Sequence, residues 1–219
     1  MSQQILIIGL GHFGMSLARS LSDKGAEVLA VDRRKNLVEE ASAFVAESIV
    51  VDATDETELA RLQPAQRDAV VCAIGDDSKE ASIICTALLR QMGAPWVIAR
   101  ANAAMHQRIL QLVGAHLVVN PEQEFGQRFA NRLLNRHIIA DMPLGSDLHL
   151  TEISIQPSMV GKTLVELALP KRFGVMVVAI RRGSPSRILQ PSPHDPLQEK
   201  DNLIIVSSEA AVPKLTGRI

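Results

Sequence analysis

Gly9, Gly11 and Gly14, in Ile7-Ile8-Gly9-Leu10-Gly11-His12-Phe13-Gly14, have the spacing that lets a chain bring its backbone against a phosphate. The apolar run Ile5-Leu6-Ile7-Ile8 before them has the length of a buried strand, and a segment of helical period follows. In that setting Gly9 permits the tight turn out of the strand. Gly11 removes the side chain that would hold a phosphate off the backbone, and Gly14 lets the helix pack close to the sheet. The N–H groups of the first helical turn, with the helix dipole behind them, favour negative charge. Such a site needs an acid about 20 residues on, and the run Glu27-Val28-Leu29-Ala30-Val31-Asp32 ends on one. Asp32 is then placed to accept hydrogen bonds from the ribose hydroxyls of an adenosine and to repel a 2′-phosphate, an exclusion that Arg33 and Arg34 weaken. A turn that merely needed a glycine and a capping aspartate would not require strand, glycines, helix, strand and acid in this order.

These residues need a scaffold, and the chain repeats the same grammar. Runs rich in Val, Ile and Ala at 44–51, 68–74, 95–100 and 115–120 read as further strands, and 37–42, 56–62, 79–92 and 103–113 read as helices between them. Continuously apolar strands alternating with helices of ordinary length predict an α/β fold, a doubly wound parallel sheet of Rossmann-like type. The segment 121–137 reads as one more helix opened by Pro121, with Phe125, Phe129 and Leu133 on a single stripe. That stripe either caps the sheet or packs against a second subunit.

Residues 140–147, with Pro143 and Gly145, read as a linker, and the grammar then changes. His149 to Ile155 alternates like a half-exposed strand, 163–169 reads as a short helix closed by Pro170, and 175–182 and 202–207 read as strands around a Gly183-Ser184-Pro185-Ser186 turn. The expected domains are 1–138 with its terminal helix, a linker at 139–147, and a small α+β lobe at 148–219.

Composition narrows the function. Lys+Arg 23 against Asp+Glu 24 gives a net charge of -1, with no dense basic tract, so a general nucleic-acid binder is not expected. No apolar run approaches the roughly 20 residues that span a bilayer, and the Met1-Ser2-Gln3-Gln4 start lacks the basic region of a signal peptide, so a cytoplasmic protein is expected. Cys72 and Cys85 sit in apolar surroundings and read as buried structural thiols. Asp76-Asp77 with Glu80 reads as a helix start favoured by acids rather than a metal site. No full Gly-x-x-x-x-Gly-Lys-Ser/Thr phosphate loop, zinc-ligand spacing or nucleophile elbow occurs.

Over essentially its whole length the chain resembles the RCK family, regulators of K+ conductance also called KTN or TrkA domains. The opening 7–14 looks like the family's, and Val51-Asp52-Ala53-Thr54-Asp55 is similar to its third-strand Gly-Asp-Ala-Thr-Asp signature. Leu117-Val118-Val119-Asn120-Pro121-Glu122 resembles its final sheet strand running into a crossover helix. Ser158 to Leu167, Phe173 to Ile180 and Asp201 to Val206 resemble its C-terminal lobe.

The resemblance implies a regulatory subunit, not an enzyme, that gates a separately encoded membrane K+ channel or transporter. As a cytoplasmic homodimer assembling into an octameric ring, it would sit at the inner face of the membrane through that partner. By matching position, Gly9, Gly11 and Gly14 would surround the phosphates of an adenine nucleotide, with His12 and Phe13 between them. Asp32 and Arg33 would lie at the ribose, and Asp52, Ala53 and Thr54 at the adenine end. The family leaves ATP or ADP and NAD(H) open. Glu122 resembles an acid that helps hold Mg2+ or another divalent cation beside the nucleotide at the dimer interface. Where Ktr-type members commonly carry arginine, this chain has His12, whose grip on a terminal phosphate is weaker or pH-dependent. Arg100 either supplies the missing positive charge or pairs with an acid at the sheet rim. In some relatives the C-terminal lobe binds cyclic di-AMP; Lys171 and Arg172 are the candidate cations here, and also suit a helix C-terminus.

Two readings from other classes remain. An NAD(H)-dependent oxidoreductase would need an acid/base residue over the nicotinamide, for which His149 and His194 are the candidates. An NAD-stabilised scaffold would gain melting temperature from nucleotide without changing geometry.

Overall fold

Each central strand of the first half serves two cores at once. β1 (Gln4–Ile8) turns Leu6 and Ile8 to one face and Ile5 and Ile7 to the other, and β2 (Glu27–Asp32) divides Leu29 and Val31 from Val28 and Ala30 in the same way. Against the first face pack Leu59 of α3 (Glu56–Arg61), Cys85 and Leu89 of α4 (Lys79–Gln91) and Leu110 of α5 (Ala104–Leu112). Against the second pack Ala18 of α1 (His12–Asp23) and Val38 and Ala41 of α2 (Lys35–Ala41). A sheet covered on both faces needs strands without polar alternation, which is why these runs are apolar throughout. Each fully buried Leu, Ile or Val contributes about 1.5–3 kcal/mol.

With β3 (Glu47–Val50), β4 (Ala69–Cys72), β5 (Val97–Arg100) and β6 (Leu117–Val119), the sheet has the order β3-β2-β1-β4-β5-β6, and every neighbouring pair is parallel. This is the doubly wound architecture expected from the sequence. The winding reverses between β1 and β4, so the loops leaving those two strands part and open a cleft at the carboxyl edge. Strand ends move inward from the expected ones by a few residues. Phe44 and Val45, read as strand, instead follow α2, their N–H groups donating to the carbonyl of Ala41 and their side chains packing on the second face. Asp55 caps α3, its carboxylate accepting from the N–H groups of Thr57 and Glu58, with Glu56 and Glu58 in the favourable first turn.

The structure is a computed structural model describing all residues except Met1, Asp76, Asp77, Ser184, Ser186, Arg218 and Ile219. Two expectations reach outside the described residues: the capping role of Asp76 and Asp77, and the turn containing Ser184 and Ser186. The chain divides into the units Met1–Gln123 and Glu124–Ile219, so α6 (Pro121–Leu134) places its first turn in one and its remainder in the other.

The second unit is a five-stranded antiparallel sheet, order β10-β9-β11-β8-β7. Its strands are β7 (Ile138–Gly145), β8 (Leu148–Ser154), β9 (Met176–Arg182), β10 (Arg187–Leu189) and β11 (Asn202–Ser208). The segment 139–147 is therefore a correction: it is strand and hairpin, not linker. Pro143 suggested a break, but β7 is an edge strand, where a missing N–H is tolerated, and Gly145 at φ +110° with Ser146 at φ +52° turns the chain into β8. Pro170 is a second correction. It does not close a helix but stands in the first turn of α8 (Leu169–Phe173), begun after Ala168 reverses α7 (Leu164–Leu167) at φ +46°. Ile153, Met159, Leu167, Leu169, Val175, Leu203 and Ile205 form the core with Val212 and Leu215 of α9 (Ala211–Gly217).

Candidate functional site

The loop from β1 to α1 is built around two enforced close approaches. Gly9 has φ +95°, and a Cβ there would stand 3.0 Å from the backbone nitrogen of Ile74 at the end of β4. A Cβ on Gly14 would lie 1.9 Å from the Gly9 carbonyl oxygen and 3.2 Å from the Ala73 side chain, so only glycine lets α1 start here. Gly11 is different. A Cβ there would meet no atom of the described residues within 4 Å, so packing inside the chain does not demand glycine. Gly11 also caps α1 without a side-chain hydrogen bond, and the first turn holds no acid, so the first N–H groups of the helix have no carboxylate of their own.

Asp32, 7% exposed, ties this loop to the end of β2. Its Oδ2 accepts from the Leu10 N–H at 2.7 Å, and its Oδ1 accepts from the Arg34 N–H at 2.9 Å and from Arg34 Nε at 3.1 Å. Burial pushes its pKa up; the Arg34 side chain and the two backbone N–H groups outweigh that and hold the carboxyl below the ordinary value. Asp52 is exposed; its carboxylate accepts from the hydroxyl of Thr54 at 2.7 Å and from the Thr54 N–H at 3.0 Å, which also lowers its pKa. Ala53 turns its methyl into the first core, so it presents backbone rather than side chain to the cleft.

These groups line one groove of about 890 Å³ at the switch point of the sheet, a size that suits a cofactor-sized ligand. Gly9, Gly11, His12, Phe13, Asp32, Arg33, Asp52, Ala53, Thr54, Arg100 and Glu122 all border it; of the expected residues only Gly14 stands behind the wall. Sequence reasoning missed Arg34 as the residue on Asp32, and Ile74, Gly75 and Asn102 as lining. The signal was available: the loop after β4 faces the loop after β1 wherever winding reverses.

Arg100 meets an acid at the sheet rim. Its guanidinium forms an ion pair with Glu122, the second residue of α6, and stands 5.8 Å from the centre of the Phe13 ring. Its Nε is buried and has no hydrogen-bond partner among the described residues. Glu122, expected as a cation ligand, is thus engaged by an arginine, and among the described residues no group of three or more His, Cys, Asp or Glu is arranged to hold a metal ion.

Elsewhere, Cys72 and Cys85 are free thiols, both fully buried. Lys171 and Arg172 stand in the last turn of α8, Arg172 donating to the Leu167 carbonyl and lying over the Phe173 ring, the helix-end role. His149 is held by Asp141 at 3.1 Å, and His194 is exposed. Phe125, Phe129 and Leu133 are 62%, 45% and 67% exposed, with the two rings stacked at 5.7 Å. No helix among the described residues is long and apolar enough to cross a membrane.

Comparison with known proteins agrees with this geometry. The TrkA-N domain family matches residues 5–121 and the TrkA-C domain family residues 150–218. The chain is 38% identical over 207 residues to Ktr system potassium uptake protein A of Vibrio alginolyticus, covering 94% of this chain and 93% of the relative. It is 30% identical over 219 residues to Ktr system potassium uptake protein C of Bacillus subtilis (strain 168), covering 100% and 98%. Among solved structures, the GsuK channel bound to NAD aligns with all of this chain and 40% of its own at a TM-score of 0.66 and 20% identity, a likeness of fold. By sequence and by fold, the chain belongs to the family that joins a TrkA-N domain to a TrkA-C domain.

Proposed function

We propose that this chain is a cytoplasmic, nucleotide-sensing regulatory subunit of a potassium-uptake system, acting on a separately encoded membrane channel or transporter. The observation that carries the reading is the near full-length relation to Ktr system potassium uptake protein A, 38% identical over 94% of this chain. The groove supports an adenosine carrying at least two phosphates, the chemistry common to ADP, ATP and NAD(H). Gly11 leaves its backbone open to a phosphate, the uncapped start of α1 offers N–H groups to it, and ionised Asp32 suits a ribose. Exposed Phe125, Phe129 and Leu133 support a dimer in which a second copy covers α6, the unit from which a ring would be built.

In this reading the chain performs no turnover. Ligands of different phosphate length stabilise different arrangements of the paired subunits, and the membrane partner responds to the population of each. Such a ligand acts only through its differential affinity for the two states.

Calorimetry of the purified protein with ATP, ADP, NAD+, NADH and cyclic di-AMP, with and without Mg2+, tests the sensing step. Potassium-limited growth of cells lacking the gene tests the transport step. Binding of at least one adenine nucleotide, with growth restored by the wild-type chain and not by a non-binding variant, is expected. Absence of binding to all of them, or hydride transfer to a small alcohol or acid, overturns the reading.

A further inference from the structure

Arg100 is caught between two claims. Its side chain is only 15% exposed and lies in the groove wall beside the Phe13 ring; a Cβ at Gly75 would come within 3.3 Å of its Nη1. One terminal nitrogen binds Glu122, whose side chain is 52% exposed, while the buried Nε has no partner among the described residues. A guanidinium has five donors in a planar fork and matches a phosphate at least as well as a carboxylate. Here the fork is used on one side only, by an acid that solvent would readily accept.

We propose, building on the nucleotide-binding reading above, that Glu122 is a built-in competitor for the phosphate ligand. Without nucleotide the carboxylate occupies Arg100. A terminal phosphate in the groove takes the guanidinium as its partner, and Glu122, in the first turn of α6, is released to solvent. Arg100 is then the specificity-determining residue: a ligand gains from it only if its phosphate displaces the acid, so adenosine alone gains nothing. Glu122 lowers the affinity of the site for phosphorylated ligands, the reverse of the effect of a cation ligand.

The two roles separate by calorimetry in EDTA, which removes divalent cations, with ADP and adenosine as probes. An ion pair with one partner half exposed is worth about 0.4–1 kcal/mol, so Glu122→Gln is expected to tighten ADP by about two- to fivefold and to leave adenosine unchanged. Arg100→Gln is expected to erase most of the advantage of ADP over adenosine, and the double variant to match Arg100→Gln, because the acid acts only through the arginine. Unchanged or weakened ADP binding by Glu122→Gln overturns the proposal, as does a double variant that keeps the gain. Glu122→Ala repeats the test if the glutamine chain does not fold, and the Glu122 arms decide the matter by themselves. A wild-type chain that binds no adenine nucleotide is a different failure, that of the sensing reading.

Discussion

Gly14 and Gly11 belong to one motif, yet the structure separates their roles by a measurable amount. In Gly14→Ala the new methyl carbon starts 1.9 Å from the Gly9 carbonyl oxygen, where real Cβ contacts stay beyond 3.0 Å, so the β1–α1 loop or the whole of α1 must move by about 1.1 Å (3.0 less 1.9). The obstacle is backbone and cannot rotate away. Overpacking of this kind costs about 1–3 kcal/mol, and the upper half of that range is expected here. For a unit of this size, 2 kcal/mol lowers the melting temperature by about 6–10 °C. In Gly11→Ala the methyl group meets no atom of the described residues within 4 Å, so the melting temperature is expected to stay within about 3 °C of the wild type while ADP affinity falls at least tenfold. Differential scanning calorimetry and ligand titration on the same samples read both quantities. A Gly14→Ala chain as stable as the wild type refutes the close approach; a Gly11→Ala chain that binds ADP normally refutes the phosphate-facing role of that residue.

Three further outcomes are expected. Because the Asp32 carboxyl is held below its ordinary value, its ionised form contributes stability above about pH 4, and that contribution is lost as pH falls through the lowered folded-state value. Urea titrations should therefore show Asp32→Asn destabilised by about 1–3 kcal/mol at pH 7, with the gap closing only in strongly acidic buffer; a gap that closes between pH 8 and 6 would point elsewhere. Asp201, fully buried and held by the partly exposed Arg182 at 2.6 and 2.7 Å, should cost the second unit about 1–3 kcal/mol when replaced by Ala, since Arg182 and the Gln198 N–H lose their acceptor. A loss below 1 kcal/mol in chemical denaturation would show that the pair is not structural. Phe125→Glu with Phe129→Glu should leave far-ultraviolet circular dichroism unchanged and reduce the mass seen by light scattering to that of smaller assemblies; an unchanged mass removes α6 from the interface.

The sheet was legible because doubly covered strands admit no polar alternation: β4 is apolar throughout, and β1 and β2 carry polar residues only at their ends. The groove was legible for a related reason: the glycine spacing and Asp32 report local backbone requirements that sequence displays directly. What sequence hid were relations between side chains. Arg34 folding back on Asp32, and Arg100 meeting Glu122, depend on side-chain directions that spacing does not encode. Strand β7 was hidden by its own punctuation. Pro143 and Gly145 read as a break, but an edge strand has one free side and a hairpin follows, so both residues fit regular structure. Strand β10 has only three residues, too short for periodicity to speak.

The bond from Asp32 to the Leu10 N–H fastens the glycine loop before any ligand arrives. A fastened loop loses little freedom when filled, so an arriving molecule need not spend its attraction on shaping the cradle. It also means that the cradle greets every occupant with the same contour and cannot tell them apart. Discrimination must therefore fall to the rim, where arginines and acids are still able to exchange company.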